Sequence, residues 1–136
     1  MTTLNRRHLL LSAAAAGATL PFAAAASSFV EYQPGLIQSQ LASGKTVFVD
    51  FGATWCSTCA RQKRVINALR SSNPAYDAAM TFVNVDWDTY ARHSVTTSRG
   101  VPRRSTLLVL RGNQELGRIV AGTSESAIKA LMNKGL

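Results

Sequence analysis

Two short stretches of the chain, residues 46–51 and 80–86, are rich in β-branched and aromatic residues. The first is apolar on both of its faces, which is typical of a strand in the middle of a covered parallel sheet. Apolar residues at helical spacing separate the two stretches, from position 56 to about position 70. This strand–helix–strand order predicts an α/β fold in which parallel strands are joined by right-handed crossovers.

The helix between these strands has a clear apolar stripe, formed by Val65, Ile66 and Leu69. The four polar residues 61–64 are predicted to face solvent, and residues 71–74, Ser-Ser-Asn-Pro, are predicted to end the helix. The other predicted elements are an edge strand at 29–32, helices at 36–42, 75–79 and 89–94, hairpin strands at 106–110 and 115–120, and a capped last helix that starts at 123–126.

The first 26 residues have the pattern of a secretory signal peptide and are excluded from the predicted fold. Arg6 and Arg7 precede an Ala-rich apolar run, and Ala24-Ala25-Ala26 provides a small-residue cleavage site. The paired arginines and the weakly apolar run favour twin-arginine export over the general secretory route. We therefore expect one domain at 27–136, delivered to the periplasm without a membrane-spanning segment, and we expect it to be monomeric.

Cys56 and Cys59 are the two cysteines of the chain, and they lie three positions apart at the predicted start of a helix. Side chains at i and i+3 share a helix face, so the two sulfurs can meet. The unpaired N–H groups and the positive dipole of a helix start favour a thiolate at Cys56. We expect Cys56 to be the exposed, acidic attacker and Cys59 the more buried, resolving thiol.

Segment 50–59, Asp-Phe-Gly-Ala-Thr-Trp-Cys-Ser-Thr-Cys, resembles the active-site segment of the thioredoxin family. The sequence of this segment is most similar to that of the C-terminal domain of the periplasmic thiol:disulfide interchange protein DsbD. The Gly-Val-Pro of residues 100–102 before an apolar hairpin and the last helix extend the resemblance over most of 46–136. It implies a thioredoxin fold, in which helices flank a central mixed β-sheet.

The resemblance also assigns roles to individual residues. Asp50 matches the family's buried acid, and its apolar neighbours favour a raised pKa and proton exchange with Cys59. Trp55 would line the partner groove. Val101 and Pro102 match the turn in which a cis proline packs against the cysteines and the preceding residue binds the substrate strand.

Two departures from the family pattern accompany these assignments. Three residues, 103–105, separate Pro102 from the threonine that normally follows it, so Ser105 is an alternative occupant of the cis-proline position. Pro102 is preferred. The lysine that often partners the buried acid is missing, because Phe82 lies at the aligned position.

The chain carries a net charge of +8. Several of its basic residues would surround the cysteines in a thioredoxin fold: Arg61, Lys63, Arg64, Arg103 and Arg104. They could stabilise the Cys56 thiolate and steer acidic partners, or they could be an ordinary solvated surface, and the sequence leaves both readings open. No nucleic-acid-binding motif is present.

These features favour an exported thiol:disulfide oxidoreductase, with Cys56, Cys59 and Asp50 as its catalytic residues. The surrounding sequence resembles reducing domains, so we expect a reductase that acts on protein disulfides and is recharged by a membrane electron donor. No cofactor and no metal are expected. Two alternatives stay open: a redox-inactive binding module stapled by a disulfide, and a metal chaperone, although two thiols make an incomplete zinc site.

Overall fold

The computed structural model describes Gly17 and residues 28–136. Apart from Gly17, the predicted signal peptide lies outside the described residues. The elements in chain order are β1 (Val30–Glu31), α1 (Leu36–Ala42), β2 (Thr46–Gly52), α2 (Ser57–Ser72), α3 (Ala75–Ala79), β3 (Met80–Asp86), α4 (Trp87–Tyr90), α5 (Ser94–Thr97), β4 (Thr106–Arg111), β5 (Gln114–Val120) and α6 (Glu125–Asn133).

The described strands form one mixed sheet in the order β1-β3-β2-β4-β5. Strands β1, β3 and β2 run parallel, whereas β4 is antiparallel to β2 and β5 is antiparallel to β4. Strand β2 is central, and all seven of its residues are buried. The prediction from its two apolar faces is therefore confirmed, because a strand covered on both sides has no polar face to present.

The sheet separates two apolar cores. One core combines Val47, Val49 and Phe51 of β2 with Ile37 of α1. The other contains Phe48 of β2 and the inner sides of α2 and α6, with Ile66, Leu69, Ile128, Leu131 and Met132. Because successive side chains of a strand point to opposite faces, Asp50 shares the second face with Phe48 and lies beneath α2.

One predicted element differs from the structure. The single helix expected at 89–94 is replaced by two one-turn helices, α4 and α5. The imidazole of His93 caps the second of these helices, since its Nδ1 accepts the N–H of Val95 at 3.1 Å. None of the helices in the described part of the chain is long and apolar enough to cross a membrane.

Candidate active site

Cys56 is the residue that begins α2. Its backbone is extended, with φ −92° and ψ 113°, and its Sγ accepts the N–H of Cys59 at 3.2 Å. The sulfur thus takes the place of the usual side-chain oxygen that binds an unpaired N–H at a helix start. The predicted position of the pair on the first helical turn is confirmed.

The two thiols, both free in the structure, differ in acidity but not in exposure. Cys56 is 4% exposed and Cys59 3%, so the expectation that Cys56 would be the exposed member is wrong. Burial opposes ionisation of Cys56, yet the neighbouring Cys59 thiol, the Ser105 hydroxyl, the Cys59 N–H and the Arg104 guanidinium together lower its pKa to about 7. Burial and the neighbouring Cys56 raise the pKa of Cys59. The arrangement supplies one acidic and one weakly acidic thiol.

Ser105 is the residue that packs against the cysteine pair. Its Oγ lies 3.3 Å from Cys56 Sγ and 3.0 Å from Cys59 Sγ. Pro102 is exposed, Val101 packs into the core of the α1 side, and no peptide bond among the described residues is cis. The prediction that Val101-Pro102 forms the turn against the cysteines is therefore wrong, because the three added residues place that turn at Ser105.

Gln62 holds Ser105 in place, and sequence reasoning missed it by placing it on the solvent face of α2. The side chain is fully buried, and its Nε2 donates to the carbonyls of Ser105 and Gly122, both at 2.9 Å. The helical spacing of Cys59, Gln62, Ile66 and Leu69 was the available signal, since these four residues share one helix face. Polarity alone was misleading, because the carbonyls that Gln62 binds come from distant loops.

Asp50 is completely buried below the cysteines. Burial raises its pKa to about 6, Lys63 opposes the rise and Glu31 adds to it. Lys63 Nζ lies 3.8 Å from Asp50 Oδ2, which is an ion pair without a hydrogen bond, and it donates to Asn84 Oδ1 at 3.0 Å. The family's lysine is replaced by Phe82, as the sequence indicates, but the acid has a different lysine partner because α2 supplies Lys63.

A cleft of about 260 Å³ opens next to the cysteines, and its lining includes Gly52, Cys59, Lys63 and Asn84 but not Asp50 itself. A Cβ added at Gly52 would lie 3.1 Å from Asp50 Oδ1 and 3.7 Å from the Cβ of Cys59. Gly52 therefore lies between the acid and the buried thiol, and a side chain there would crowd the carboxyl oxygen of Asp50 while making an ordinary contact with Cys59.

Trp55 forms the outer wall of the site and is 58% exposed. Its Nε1 donates to the carboxylate of Asp88 at 3.0 Å, and the guanidinium of Arg104 stacks 4.5 Å from the ring. A cation over an indole face is attracted by the ring quadrupole, so the stack fixes Arg104 next to Cys56. Among the described residues, no three His, Cys, Asp or Glu side chains converge as a metal site.

This geometry has matches among known proteins. A family model described as thioredoxin-like covers residues 32–107, which is more than half of the chain. This chain belongs to the thioredoxin-like family. The fold predicted from the sequence is thereby confirmed, and the Cys-x-x-Cys pair makes this thioredoxin-like protein a thiol:disulfide oxidoreductase.

The relatives are thioredoxins from diverse organisms. A thioredoxin of Coprinus comatus is 30% identical over 96 residues, covering 69% of this chain and 84% of the relative. An H-type thioredoxin of Chlamydomonas reinhardtii is 31% identical over 100 residues, covering 71% and 83%. Among solved structures, Trxlp from Edwardsiella tarda matches with TM-score 0.65 and 33% identity, covering 75% of this chain and 97% of that one.

Proposed function

We propose that this thioredoxin-like protein is an exported reductase that transfers two electrons from Cys56 and Cys59 to protein disulfides in the periplasm. The observation that carries the proposal is the convergence of two donors, the Cys59 N–H and the Ser105 hydroxyl, on the sulfur of Cys56. Donors aimed at one sulfur stabilise its thiolate, which is the form that attacks disulfides.

The reducing direction follows from how far the Cys56 pKa is lowered. A strongly depressed thiol pKa stabilises the dithiol form and makes the pair an oxidant, as in DsbA with a pKa of about 3.5, whereas thioredoxin has about 7. The pKa of Cys56 is lowered only to about 7. This modest lowering supports a pair that gives up electrons, as a reductase must, and the similarity of segment 50–59 to the DsbD domain supports the same direction.

The exchange proceeds in two displacements. The Cys56 thiolate attacks one sulfur of the substrate disulfide, which forms a mixed disulfide and expels the other substrate sulfur as a thiolate. Cys59 then gives its proton to the Asp50 carboxylate, attacks the Cys56 sulfur and expels the second substrate thiolate. Each expelled thiolate takes up a proton from water. The substrate gains two electrons and Cys56–Cys59 becomes a disulfide.

Asp50 is suited to the proton step for two reasons. Its pKa of about 6 keeps it ionised near neutral pH and still basic enough to accept a proton. The cleft lined by Gly52, Cys59 and Lys63 brings solvent to the residues that surround this buried acid, and we propose that the proton returns to solvent on that side.

The substrate strand is proposed to lie between Trp55 and the loop that precedes Ser105. Trp55 is exposed beside Cys56, and Arg104 stacks on it. Since Ser105 takes the position first predicted for Pro102, the backbone of Arg104 takes the binding role first predicted for Val101. Protein disulfides with acidic residues near the cysteine would suit the Arg104 guanidinium.

Export rests on the sequence of residues 1–26, where Arg6 and Arg7 precede an Ala-rich run. A reductase in the oxidising periplasm needs a supply of electrons, and a membrane protein that carries them from the cytoplasm is the proposed donor. Replacing both arginines with lysine should retain the full-length precursor inside cells. The parent should appear outside the inner membrane, with the mass of a chain that begins near residue 27.

The direction of electron flow is tested by the equilibrium potential of the Cys56–Cys59 pair. Equilibration with a dithiothreitol series should give a value near the thioredoxin potential of about −270 mV. A value near that of DsbA, about −120 mV, would establish an oxidase instead. Resistance to reduction in the folded state would leave only a structural staple.

Partners are identified by a trapping variant. Cys59→Ala should accumulate partners as mixed disulfides on Cys56, because the resolving thiol is gone. Cys56→Ala is the matched control, since it retains the other thiol of the pair, Cys59, but lacks the attacking thiol and should trap almost nothing.

A further inference from the structure

Ser105 has an unusual backbone that the surrounding structure fixes from three sides. Its φ of 63° is in the left-handed region, which is costly for a residue other than glycine. Its N–H donates to Phe51 O at 2.7 Å, and its carbonyl accepts from Ala121 at 2.8 Å and from Gln62 at 2.9 Å. These bonds tie it to the ends of β2 and β5 and to α2, so the direction of its side chain is determined.

That side chain points at both reacting atoms. The Ser105 Oγ is 3.3 Å from Cys56 Sγ and 3.0 Å from Cys59 Sγ, and the residue is completely buried. A hydroxyl has one proton to donate and two lone pairs that accept. It can therefore donate to one sulfur while it accepts from the other, but it cannot donate to both at once.

We propose that the Ser105 hydroxyl is a third catalytic group of the exchange, which gives its single hydrogen bond to whichever cysteine sulfur carries the negative charge. In the reduced protein it donates to the Cys56 thiolate and accepts from the Cys59 thiol. The proposal depends on thiol:disulfide exchange by this pair, and it holds for either direction of electron flow and any location of the protein.

The second half of the proposal concerns the resolving step. Once Cys56 is bonded to the substrate sulfur, it bears no charge and no longer needs the donor. The Ser105 hydroxyl then rotates toward Cys59, whose proton is leaving for a base, and stabilises the thiolate that attacks Cys56. No atom other than that proton is transferred to or from Cys59 before the S–S bond forms, and Ser105 keeps its own proton throughout.

The need for this donor is greater at Cys59 than at Cys56. Burial and the adjacent Cys56 raise the pKa of Cys59, and hydrogen bonds from Ser105 and the backbone of Ala53 oppose the rise. Cys56 has a further donor in the Cys59 N–H, and the nearby Arg104 guanidinium also lowers its pKa. Loss of the hydroxyl should therefore impair resolution at least as much as attack.

The test compares Ser105→Ala with Ser105→Gly. Both variants remove the hydroxyl, but glycine accepts a φ of 63° without strain whereas alanine retains the strain of serine. Thr54→Ala is the control, because Thr54 is exposed on the loop just before the pair and its hydroxyl makes no hydrogen bond to either sulfur. Urea unfolding verifies that each variant is folded before its chemistry is measured.

Two quantities are measured. The pH dependence of iodoacetamide alkylation reports the pKa of Cys56, and the release of thionitrobenzoate from a preformed Cys56 mixed disulfide reports the rate of resolution by Cys59. We expect both Ser105 variants to weaken the acidity of Cys56 and to slow resolution, each by about tenfold, from the usual strength of a hydrogen bond to a charged group. Thr54→Ala should match the parent in both.

Three results would overturn the proposal. Parent values for both quantities in folded Ser105→Ala and Ser105→Gly would show that the hydroxyl has no catalytic part. Slow resolution in the alanine variant with parent behaviour in the glycine variant would show that the hydroxyl is not required, because glycine lacks it too. A shifted pKa with an unchanged resolution rate would confine Ser105 to Cys56 and refute the transfer of its hydrogen bond to Cys59.

Discussion

The Nζ of Lys63 lies 3.8 Å from Oδ2 of Asp50, and the two belong to elements packed face to face, helix α2 and strand β2. Lys63 also donates to Asn84, and the amide nitrogen of Asn84 donates to both carboxylate oxygens of Glu31, at 3.0 and 3.2 Å. Asp50 thus has two charged neighbours with opposite effects on its pKa, the nearby Lys63 and the more distant Glu31. Asn84 links these two by hydrogen bonds.

Lys63→Met and Glu31→Gln should therefore change the pKa of Asp50 in opposite directions. Lys63 lowers this pKa and Glu31 raises it, so removing Lys63 raises it further above about 6 and removing Glu31 lowers it. The carboxyl carbon shift of Asp50, followed by NMR in a Cys56→Ser, Cys59→Ser background, reports the titration without interference from the thiols. Shifts of the same sign in both variants would refute the charge arrangement.

Asp50 should also make stability depend on pH. Its pKa is about 6 in the folded protein and 3.8 in the unfolded chain, so the unfolded chain holds fewer protons between these values. Stability therefore falls as pH rises from about 4 to above 6, by roughly 3 kcal/mol at about 1.4 kcal/mol per pKa unit.

Asp50→Asn removes this ionisation and should be more stable than the parent above pH 7. The advantage should shrink toward zero below pH 4, where the parent carboxyl is protonated in both states. Urea unfolding at a series of pH values measures it, with Asp77→Asn as control for a part-buried carboxylate that is paired with the buried Arg70. An advantage of equal size at every pH would mean that packing, and not charge, is responsible.

The parts of the fold that follow from local pattern could be predicted from the sequence, and the parts that depend on distant loops could not. Strand β2 and the start of α2 at Cys56 depend on runs and spacings within a few residues. Which residue packs against the cysteines, Pro102 or Ser105, depends on where the loop with the added residues 103–105 ends. Ser105 reaches the sulfurs because its N–H pairs with Phe51 and its carbonyl with Ala121, contacts that no local pattern encodes.

The same limit explains the two errors on helix α2. Gln62 and Lys63 were both predicted to face solvent because they are polar and lie in a run of basic residues. One is buried under the carbonyls of Ser105 and Gly122, and the other turns toward a carboxylate on the sheet. In each case a polar side chain faces inward because the tertiary structure provides its partner.

Gln62→Leu should destabilise the protein by about 1–3 kcal/mol, the usual effect of leaving a buried polar group without its partner. The Gly122 carbonyl loses the bond from Gln62, whereas the Ser105 carbonyl retains the bond from Ala121. Arg64→Ala, an exposed change on the same helix, should stay within about 0.5 kcal/mol of the parent.

Gln62→Leu also removes one of the hydrogen bonds that hold Ser105 in position. The pKa of Cys56 should therefore rise together with the loss of stability. Urea midpoints and the pH dependence of alkylation measure the two effects on the same samples. A destabilised variant with an unchanged Cys56 pKa would show that the bonds from Phe51 and Ala121 suffice to hold Ser105.

Arg104 should favour both the thiolate and anionic reagents at Cys56. Its guanidinium stacks on Trp55 beside Cys56, and this nearby positive charge lowers the pKa of Cys56. In Arg104→Ala we expect a higher Cys56 pKa and a severalfold drop in the rate ratio of iodoacetate, which is anionic, to iodoacetamide, which is neutral.

Arg61→Ala separates a specific contact from general charge, because Arg61 is an exposed basic residue on the first turns of α2. Both variants remove one positive charge near the cysteines, so a diffuse basic field would lower the reagent ratio equally in the two. A specific role for Arg104 requires a larger drop in Arg104→Ala, one that persists at high salt, where interactions between exposed charges are screened. Equal drops that both vanish at about 1 M salt, where the screening length is roughly 3 Å, would assign the effect to the basic surface as a whole.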